Sequence, residues 1–384
     1  MAQQQIQTIE ELENLTGMKI PESQKKEIQE ILKVYPVKFS SHLLNLMKKS
    51  EAVRKQFLPN ILELEEYGTI APFEEGLHLS EESHIYGLER IYNDRAIVTL
   101  NFVCPAYCRF CFRKSRVLKN KKSSTKEDID KAVDFLKKEK EIKGVLITGG
   151  DPLLSQNLLF YLIEQLSKID HINFIRIGTR SFLTQPENLD EKLAENLSKF
   201  INPNFENPDK SKTLIIVTHF NHPDEISSET VRAFERFTRK GIMIRNQSVL
   251  LKDVNDSSLI LKNLFETLLA NNVIPYYLFH CMPLQGIRYL RPTVQKGIDV
   301  MQELLKYSGL ISPHYTVVTQ VGKIRLIHSS KLEYKTEDKM KYVVLKSPYK
   351  TEEFLSNTKQ KELPKNCFSD KDGFVVVKYL DGED

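Results

Sequence analysis

Short apolar runs alternate with longer amphipathic segments through the middle of the chain. The apolar runs predict strands at Ala96–Phe102, Gly144–Ile147, Phe174–Gly178, Leu214–Thr218, Met243–Leu250, Ile274–His280 and Tyr315–Val318. The amphipathic segments predict helices at Lys126–Lys138, Gln156–Lys168, Leu189–Ser198, Ser228–Lys240, Ser257–Ala270 and Thr293–Tyr307. Strands that alternate with helices of this length indicate parallel β-α units. About six such units favour an α/β fold built on a partial (β/α)6 barrel rather than a flat sheet.

The two ends of the chain follow other patterns. From Thr8 to about Leu64, apolar residues recur three and four positions apart, which predicts helices that Pro36 separates. Between Tyr67 and Gly87, glycine and proline indicate a connecting arm. After Leu326, lysines mix with short apolar runs, which fits a small surface hairpin or a dimer arm. The predicted organisation is a helical region and arm at 1–87, a barrel at 88–328 and a short C-terminal extension at 329–384.

Composition excludes several classes of function. With 384 residues, a net charge of +4 and 28% charged residues, the chain has the composition of an ordinary globular protein. So small a charge gives no support for nucleic-acid binding. The start of the sequence lacks the pattern of a secretory signal, and no apolar run reaches the about 18 residues of a membrane span. Few cysteines favour a reducing compartment, so the expected location is the cytoplasm.

Three of the five cysteines, Cys104, Cys108 and Cys111, lie in the stretch NFVCPAYCRFCFRKSRV after the first predicted strand. Three thiolates this close can hold one metal centre and leave its fourth position open. An open position suits an iron–sulfur cluster that binds a substrate as well as carrying electrons. Zinc normally takes four protein ligands, and the remaining Cys281 and Cys367 are isolated in the chain. Zinc and unliganded buried cysteines are the alternatives.

This C-x3-C-x2-C spacing, followed by GGDP, resembles the radical S-adenosylmethionine (SAM) superfamily. The resemblance implies that the cysteines hold a [4Fe–4S] cluster and that the amino and carboxylate groups of SAM bind its fourth iron. It also implies an aromatic cover over the cluster, here Tyr107 and Phe110, that would exclude water. In such barrels the working residues lie at the carboxyl ends of strands, where the cysteine loop also falls.

Polar or glycine-rich segments also follow the next two predicted strands. The run LITGGDP ends the second strand, and Gly149 and Gly150, with Asp151 beside them, would let the backbone approach the amino group of SAM. A plain turn between strand and helix is the alternative. The run RIGTR ends the third strand and offers Arg176, Thr179 and Arg180 to an anion or a ribose.

The fourth and fifth predicted strands end in further polar segments. The run THFNHPDE brings His219, Asn221 and His222 together. Two histidines on one turn do not complete a metal site, so hydrogen bonding is the favoured role. The run RNQSVLLKDVND offers Asn246 and Gln247 to a nucleoside or a phosphate.

The last strand-like segment carries Lys323 directly after Gly322. A lysine in this setting is usually a cation that faces solvent. Its other use is a Schiff base with an aldehyde cofactor, which requires a drier site where the lysine loses its proton. The residues alone favour the solvent-facing interpretation.

Taken together, the motifs YNDR, CPAYCRFCFRK, LITGGDPL, RIGTR, THFNHP, NQSVLLKDVND, PYYLF, GIRYLRPTVQKGI and SGLISP resemble the lysine 2,3-aminomutase family. These are radical SAM enzymes that depend on pyridoxal 5′-phosphate (PLP). The resemblance spans 35–326 and implies an isomerase that moves the α-amino group of an L-α-amino acid to the β-carbon. It implies that Lys323 binds PLP, that Arg113 binds the substrate α-carboxylate, and that Tyr92 and Arg95 lie near the PLP ring and phosphate. The expected partners are a small amino-acid substrate and a one-electron reductant such as flavodoxin or ferredoxin, and a homo-oligomer stays open.

The departures from the family pattern concern the substrate. Lysine-specific members carry aspartates where this chain has Met282 and Thr319, and a buried ammonium without either carboxylate would cost several kcal/mol. We therefore expect a neutral or apolar side chain, or a polar one held by Thr319, Gln320 or His280. The C-terminal cysteines that bind zinc in some members are missing. The alternative functions are a radical SAM enzyme that abstracts hydrogen from a peptide or small molecule without amino migration, and an inactive scaffold.

Overall fold

The computed structural model describes residues 5–64, 85–114, 122–326, 332–337 and 339–382. Most of the predicted arm, the last residues of the cysteine stretch and the predicted border at 328 lie outside these ranges. Within them, no helix combines the length and the apolar character that crossing a membrane requires. The N-terminal region forms helices α1 Ile9–Thr16, α2 Lys25–Val34, α3 Ser41–Lys49 and α4 Glu51–Phe57.

The centre of the structure is a nine-stranded sheet whose strands lie side by side in chain order. The strands are β1 Leu88–Tyr92, β2 Arg95–Asn101, β3 Gly144–Gly149, β4 Phe174–Gly178, β5 Thr213–Thr218, β6 Met243–Leu250, β7 Val273–His280, β8 His314–Thr319 and β9 Gly322–Arg325. Strands β2 to β8 are parallel to one another, whereas β1 and β9 are antiparallel edge strands. The predicted parallel strands are therefore confirmed, and the two edge strands are additions.

Helices connect successive parallel strands. They are α5 Lys126–Lys138, α6 Gln156–Ser167, the short α7 Ser181–Thr184, α8 Glu191–Ser198, α9 Ser228–Arg239, α10 Ser258–Ala270 and α11 Val294–Leu304. Each new parallel strand is added on the same side of the previous one. Because such connections are right-handed, all the connecting helices lie on one face of the sheet. Apolar residues of that face, such as Val145 and Ile147, pack with helix residues such as Leu159 and Leu162 in one core.

The opposite face of the sheet curls into the concave side of a partial barrel. The two edge strands approach each other, because the amide of Lys323 in β9 donates a hydrogen bond to the hydroxyl of Tyr92 in β1 at 3.0 Å. The predicted partial barrel is therefore confirmed. Its edge strands β1 and β9 are not paired as neighbouring strands of the sheet, and we call the gap between them the seam. The sequence did not predict β1, because LERIY mixes charged and apolar residues. The residues of β9 fall in the last strand-like segment, but the sequence did not show that the chain reverses direction between β8 and β9.

The C-terminal extension forms a second, antiparallel sheet. Its strands are β10 Glu333–Glu337, β11 Met340–Lys350, β12 Cys367–Ser369 and β13 Phe374–Leu380, with helix α12 Thr351–Thr358 after β11. Tyr349 of β11 lies against the ring of Tyr92 at the seam, with 6.4 Å between ring centroids. The extension thus packs on the barrel instead of forming only a surface hairpin.

A buried arginine locks this second sheet to the barrel. Arg291 has no exposed surface, and its guanidinium donates to the carbonyls of Cys281 at 2.9 Å, Leu380 at 2.7 Å and Asp381 at 3.2 Å. Cys281 follows β7, whereas the other two carbonyls belong to the end of β13. The loop after β7 and the C-terminal sheet are therefore held by one cation.

Replacing this cation tests the connection. Arg291→Met leaves buried carbonyls without a donor, so we expect the free energy of unfolding to fall by about 3 kcal/mol or more. Urea unfolding followed by circular dichroism measures the change. Arg232→Met is the matched control, since Arg232 is 54% exposed and pairs only with its helix neighbour Glu229; we expect a change within about 0.5 kcal/mol. Equal effects of the two substitutions would contradict the assigned role.

Candidate active site

The cysteine loop leaves the carboxyl end of β2 and is held by the N-terminal helical region. The amide of Tyr107 donates to the carbonyl of Lys38 at 2.9 Å, and the amide of Arg109 donates to the carbonyl of Gln56 at 2.8 Å. The hydroxyl of Tyr35 donates to the carbonyl of Cys108 at 3.0 Å. The ring of Tyr35 also stacks on Tyr107, with 5.9 Å between centroids. The backbone of the loop is therefore positioned by contacts from outside the barrel.

The three thiols of this loop share one electrostatic environment. Burial raises the pKa of Cys104 well above its usual value, and Cys111 and Cys108 raise it further. Burial and then Cys108 likewise raise the pKa of Cys111. Each thiolate disfavours the next, so a cationic centre is required to hold all three deprotonated. Within the described residues, no three His, Cys, Asp or Glu side chains are already arranged around one ion, so the cysteines stay predicted ligands.

The two glycines of the GGDP run are required by packing against the cysteine loop. A Cβ on Gly149 would lie 2.2 Å from the carbonyl oxygen of Asn101, and one on Gly150 would lie 2.2 Å from that of Val103. The amides of Gly150 and Asp151 donate to these same two carbonyls, each at 2.8 Å. These amides are therefore committed to the protein, which leaves the carbonyls of this turn as its groups for a ligand.

Asp151 and Thr179, both predicted to contact a cofactor, bind each other. Thr179 donates its hydroxyl to the buried Asp151 carboxylate at 2.8 Å, and the amide of Arg180 and the hydroxyl of Ser181 donate at 3.0 and 2.9 Å. Burial raises the pKa of Asp151, against the lowering effect of these hydrogen bonds. The contacts show a carboxylate that joins the ends of β3 and β4; cofactor binding by either side chain stays a prediction.

Asn221 and Asn246 are likewise occupied by protein contacts. Asn246 accepts from the amide of Phe220 at 2.8 Å and donates to its carbonyl at 3.1 Å, on the helix-facing side of β6. Asn221 accepts from the amide of Val249 at 2.8 Å and donates to Gln56 at 2.9 Å. Both amides therefore shape the loop after β5, and the geometry gives no support for direct cofactor contact.

The remaining predicted residues of this region lie in different places. His219 is half-buried, its Nε2 lies 3.1 Å from the Asn221 side-chain oxygen, and its ring packs on Phe110 with 5.5 Å between ring centroids. Burial, and then the charge of Arg180, lower the pKa of His219 well below its usual value, so the ring is neutral. Gln247 is half-buried and, by alternation along β6, faces the concave side.

Arg180, which the sequence offered to an anion or a ribose, lies at the centre of the carboxyl end and contacts protein groups. Its guanidinium contacts the Cys108 thiol at 2.8 Å, Gln56 at 2.9 Å and the fully buried Glu225 at 3.0 Å. It is the second arginine of RIGTR, and only its position in that motif indicated a functional role. A fixed cation on a cysteine sulfur is suited to stabilise a thiolate.

Lys323 points into the concave side. Its Nζ lies 4.5 Å from the ring centroid of Tyr277 and 5.0 Å from that of Phe279. Burial, followed by the charges of Arg176 and Arg95, lowers the pKa of Lys323 to about 7. A substantial fraction of the amine is therefore unprotonated near neutral pH, which a solvent-facing lysine would not be.

A charged cavity lies among the amino-terminal parts of the barrel strands. Its volume is about 190 Å³, and its lining includes Arg95, Arg176, Arg245, Lys143 and the carboxylate of Asp94. The Arg95 guanidinium lies 3.9 Å from the ring centroid of Tyr92, whose hydroxyl accepts the Lys323 amide. Burial lowers the pKa of Arg176. Arg95 pairs with Asp94 at 3.4 Å, and the charges of Arg176 and Arg95 both act on the partly unprotonated Lys323, so positive charge prevails in this part of the barrel and would suit an anion.

Arg113 is a second buried cation at the carboxyl end. Its Nη1 lies 3.5 Å from the Thr99 hydroxyl and 3.7 Å from the Glu89 carboxylate. Its Nε is buried and has no hydrogen-bond partner in the described part of the chain. A guanidinium N–H group without a hydrogen-bond partner is suited to bind a carboxylate.

The residues that replace the family's aspartates differ in orientation. Thr319 is buried, donates to the carbonyl of Gly322 at 2.9 Å and accepts from the amide of Val321 at 3.3 Å, so it closes the β8–β9 turn. His280 contacts the Tyr315 hydroxyl at 2.9 Å on the helix-facing side. The Thr319 hydroxyl is thus committed to this turn, whereas Nε2 of His280 is buried and has no hydrogen-bond partner in the described part of the chain. Met282 is half-buried and packs in an apolar cluster at the end of β7.

Comparisons with known proteins identify relatives of this chain. Residues 98–261 match the Radical SAM superfamily. Over 327 residues, 84% of each chain, the sequence is 35% identical to a putative L-lysine 2,3-aminomutase of Aquifex aeolicus. It is 33% identical to L-lysine 2,3-aminomutase of Methanococcus maripaludis, covering 81% of this chain and 70% of that protein. Glutamate 2,3-aminomutase of Clostridioides difficile is 32% identical over 61% of this chain and 54% of its own. A radical SAM methyltransferase from Sphaerobacter thermophilus superposes with a TM-score of 0.45 and 17% identity, over 61% of this chain and 69% of its own.

The acidity of Lys323 can be measured without any cofactor. We expect the rate of acetylation of Lys323 by acetic anhydride to rise with pH and to level off above its pKa of about 7. Mass spectrometry of the Lys323 peptide follows the reaction, and Lys346, whose pKa Asp370 raises, is the internal control. In Arg176→Gln the midpoint moves to higher pH, because one repelling charge is removed. A midpoint near 10.5 in the unsubstituted protein would refute the proposed environment.

Proposed function

Because the chain belongs to the lysine 2,3-aminomutase-like family of radical SAM enzymes, we propose that it is a PLP-dependent amino-acid 2,3-aminomutase. The reaction would move the α-amino group of an L-α-amino acid to the β-carbon. Homologues named as aminomutases make the protein an isomerase. The observation that supports PLP dependence is Lys323, an amine of lowered pKa beside arginines.

The concave side suits a cofactor that carries an aldehyde and a phosphate. An unprotonated lysine can attack an aldehyde carbon, whereas an ammonium cannot. Arg95 and Arg176 lie close enough to lower the pKa of Lys323 and would offset the charge of a phosphate in the adjacent cavity. Tyr92 fixes the backbone of Lys323 through its hydroxyl, so the amine is held at one depth in the barrel.

The carboxyl end suits the other two groups that the superfamily implies. Cys104, Cys108 and Cys111 would hold a [4Fe–4S] cluster as thiolates, with Arg180 donating to Cys108. When bound, the cluster with SAM supplies one-electron chemistry, and PLP supplies a conjugated C=N bond through which the nitrogen can migrate. Phe110 is buried against the same thiol and helps to exclude water from this end.

Arg113 would hold the substrate by its carboxylate. The guanidinium is buried, is steadied by Glu89 and Thr99, and has an unpartnered Nε. Arg113 belongs to the same loop as the cysteines, so a carboxylate bound to it would lie at the carboxyl end of the barrel. Free lysine fits poorly, because Met282 and Thr319 replace the aspartates that accompany an ammonium in lysine-specific members.

Lys323→Ala tests the proposed function. Borohydride reduction of the PLP-loaded protein should attach PLP to the Lys323 peptide, and this adduct should be lost in Lys323→Ala but kept in Lys346→Ala, whose lysine is about half-exposed. Anaerobic incubation with reductant, SAM and a pool of amino acids should give 5′-deoxyadenosine and a product isobaric with one input. Mass-detected chromatography reports both. Deoxyadenosine without PLP attachment or an isobaric product would instead indicate a radical SAM enzyme without amino migration.

Arg113→Met tests the carboxylate contact separately. We expect PLP to bind normally and the affinity for the amino-acid substrate to fall by about 10- to 100-fold, as for loss of a charge-assisted hydrogen bond. Titration followed by the visible absorbance of bound PLP measures the affinity. The amide of the same amino acid, which lacks the carboxylate, is the control and should bind equally to both proteins. An equal loss for acid and amide would show that Arg113 has only a structural role.

A further inference from the structure

An apolar cluster closes the carboxyl end of the barrel between β6 and β8, and we call it the carboxyl-end cluster. Its buried members are Phe110, Leu251, Val254, Cys281, Leu284, Ile287 and Leu290, and its half-buried members include Cys108, Val249, Met282, Tyr289 and Val318. This cluster is separate from the main core between the sheet and its helices, except that Cys108 packs against both. Its half-buried members are the ones that a bound molecule could touch.

The carboxyl-end cluster lies between two groups of the proposed reaction. At one side it contains Cys108, a predicted cluster ligand, and Phe110 of the same loop. At the other side it contains Val318, which is the direct ladder partner of Lys323 across the β8–β9 pair. A substrate held by the cofactor near Lys323, with its β-carbon directed towards the cysteine loop, would extend its side chain along this cluster.

Two charged groups that border the cluster are already paired within the protein. Glu63 receives two hydrogen bonds from Arg109, and the Tyr289 hydroxyl lies 3.4 Å from it. Arg180, whose guanidinium lies 5.3 Å from the Phe110 ring centroid, is bound to Glu225. A substrate ammonium placed among these apolar side chains would lose its water, and the carboxylates of Glu63 and Glu225 are already bound to arginines.

We propose that the carboxyl-end cluster, through Val249, Met282 and Val318, binds the substrate side chain and selects L-α-amino acids with apolar side chains. This assignment rests on the proposed aminomutase function and deepens it by naming the substrate class. Met282 is the principal selecting residue, because it occupies the position of a lysine-binding aspartate. The thioether is flexible and apolar, so it fits aliphatic side chains of different shape.

One nearby polar atom defines the competing outcome. The side-chain oxygen of Gln320, in the turn between β8 and β9, is buried and has no hydrogen-bond partner in the part of the chain that the structure describes. If this acceptor met the substrate, side chains with a donor, such as glutamine, would be preferred. The apolar assignment predicts the reverse, because glutamine would bury its amide against valine and methionine.

The experiment measures binding to PLP-loaded protein without SAM. Leucine, alanine, glutamine, lysine and glutamate are titrated separately, and the visible absorbance and circular dichroism of the bound cofactor report occupancy. We expect leucine to bind at least about tenfold more tightly than alanine, as for added buried methylenes. We expect lysine, glutamate and glutamine to bind more weakly than leucine. Tighter binding of any of these three would overturn the assignment.

Substitutions locate the selectivity. Met282→Asp should weaken leucine binding and strengthen lysine binding by about tenfold or more each, whereas Met282→Leu should leave the preference for leucine intact. Leu259→Asp, at a 58% exposed position of α10, is the matched control and should change neither. If Met282→Asp behaves like this control, the side chain does not touch Met282 and the assignment fails.

Failure of the two proposals can be told apart. Without PLP binding, or without any response of bound PLP to any amino acid, the aminomutase function itself fails. Normal PLP binding with a clear response to lysine or glutamate, and none to leucine, overturns only the substrate class. Folding of each variant is checked by its circular dichroism and by PLP attachment at Lys323.

Discussion

The buried guanidinium of Arg109 is the contact on which the carboxyl end depends. It has no exposed surface, pairs with both oxygens of Glu63, donates to the carbonyl of Tyr35 at 3.0 Å and lies over that tyrosine's ring. A cation taken out of water is tolerated only when such partners are complete. Arg109 belongs to the cysteine loop, whereas its partners belong to the N-terminal region. The loop therefore reaches its conformation only when that region is folded against the barrel.

The N-terminal region also contacts the surroundings of the Cys108 sulfur, through Gln56. Its backbone carbonyl accepts from the Arg109 amide, and its side-chain oxygen accepts from both Arg180 and Asn221 at 2.9 Å. Arg180 in turn contacts Cys108, so one glutamine of α4 orients the cation beside a predicted cluster ligand. Residues at the strand ends, such as Asn221 and Arg180, thus hold the cysteine loop and its neighbours in place. Their side chains are for this reason engaged in hydrogen bonds within the protein.

This explains what the sequence could and could not predict. Strand and helix periods identified the parallel strands closely, since burial on one or both faces leaves a direct trace in residue type. The ordered motifs identified the cysteine trio and Lys323. The role of Asn246 was not readable, because an amide's residue type does not reveal its partner, and Phe220 lies 26 positions away. Arg180 and the C-terminal sheet share this difficulty: their contacts join segments far apart in the chain.

The concave side separates two kinds of environment, and the reaction requires both. Burial, followed by the charges of Arg176 and Arg95, lowers the pKa of Lys323 and keeps its amine partly unprotonated, in surroundings that would suit an anionic cofactor. Towards the cysteine loop the lining becomes apolar, from Val318 to Phe110. Fixed charges can orient the ends of a substrate without approaching its reacting carbon, where a dry surface prevents side reactions of a reactive intermediate. A charged substrate side chain would have to extend from the cationic part of the barrel near Lys323 into the apolar part near Phe110. Under the proposed function, the barrel would discriminate among substrates by where it leaves charge unpaired as well as by the shape of its pocket.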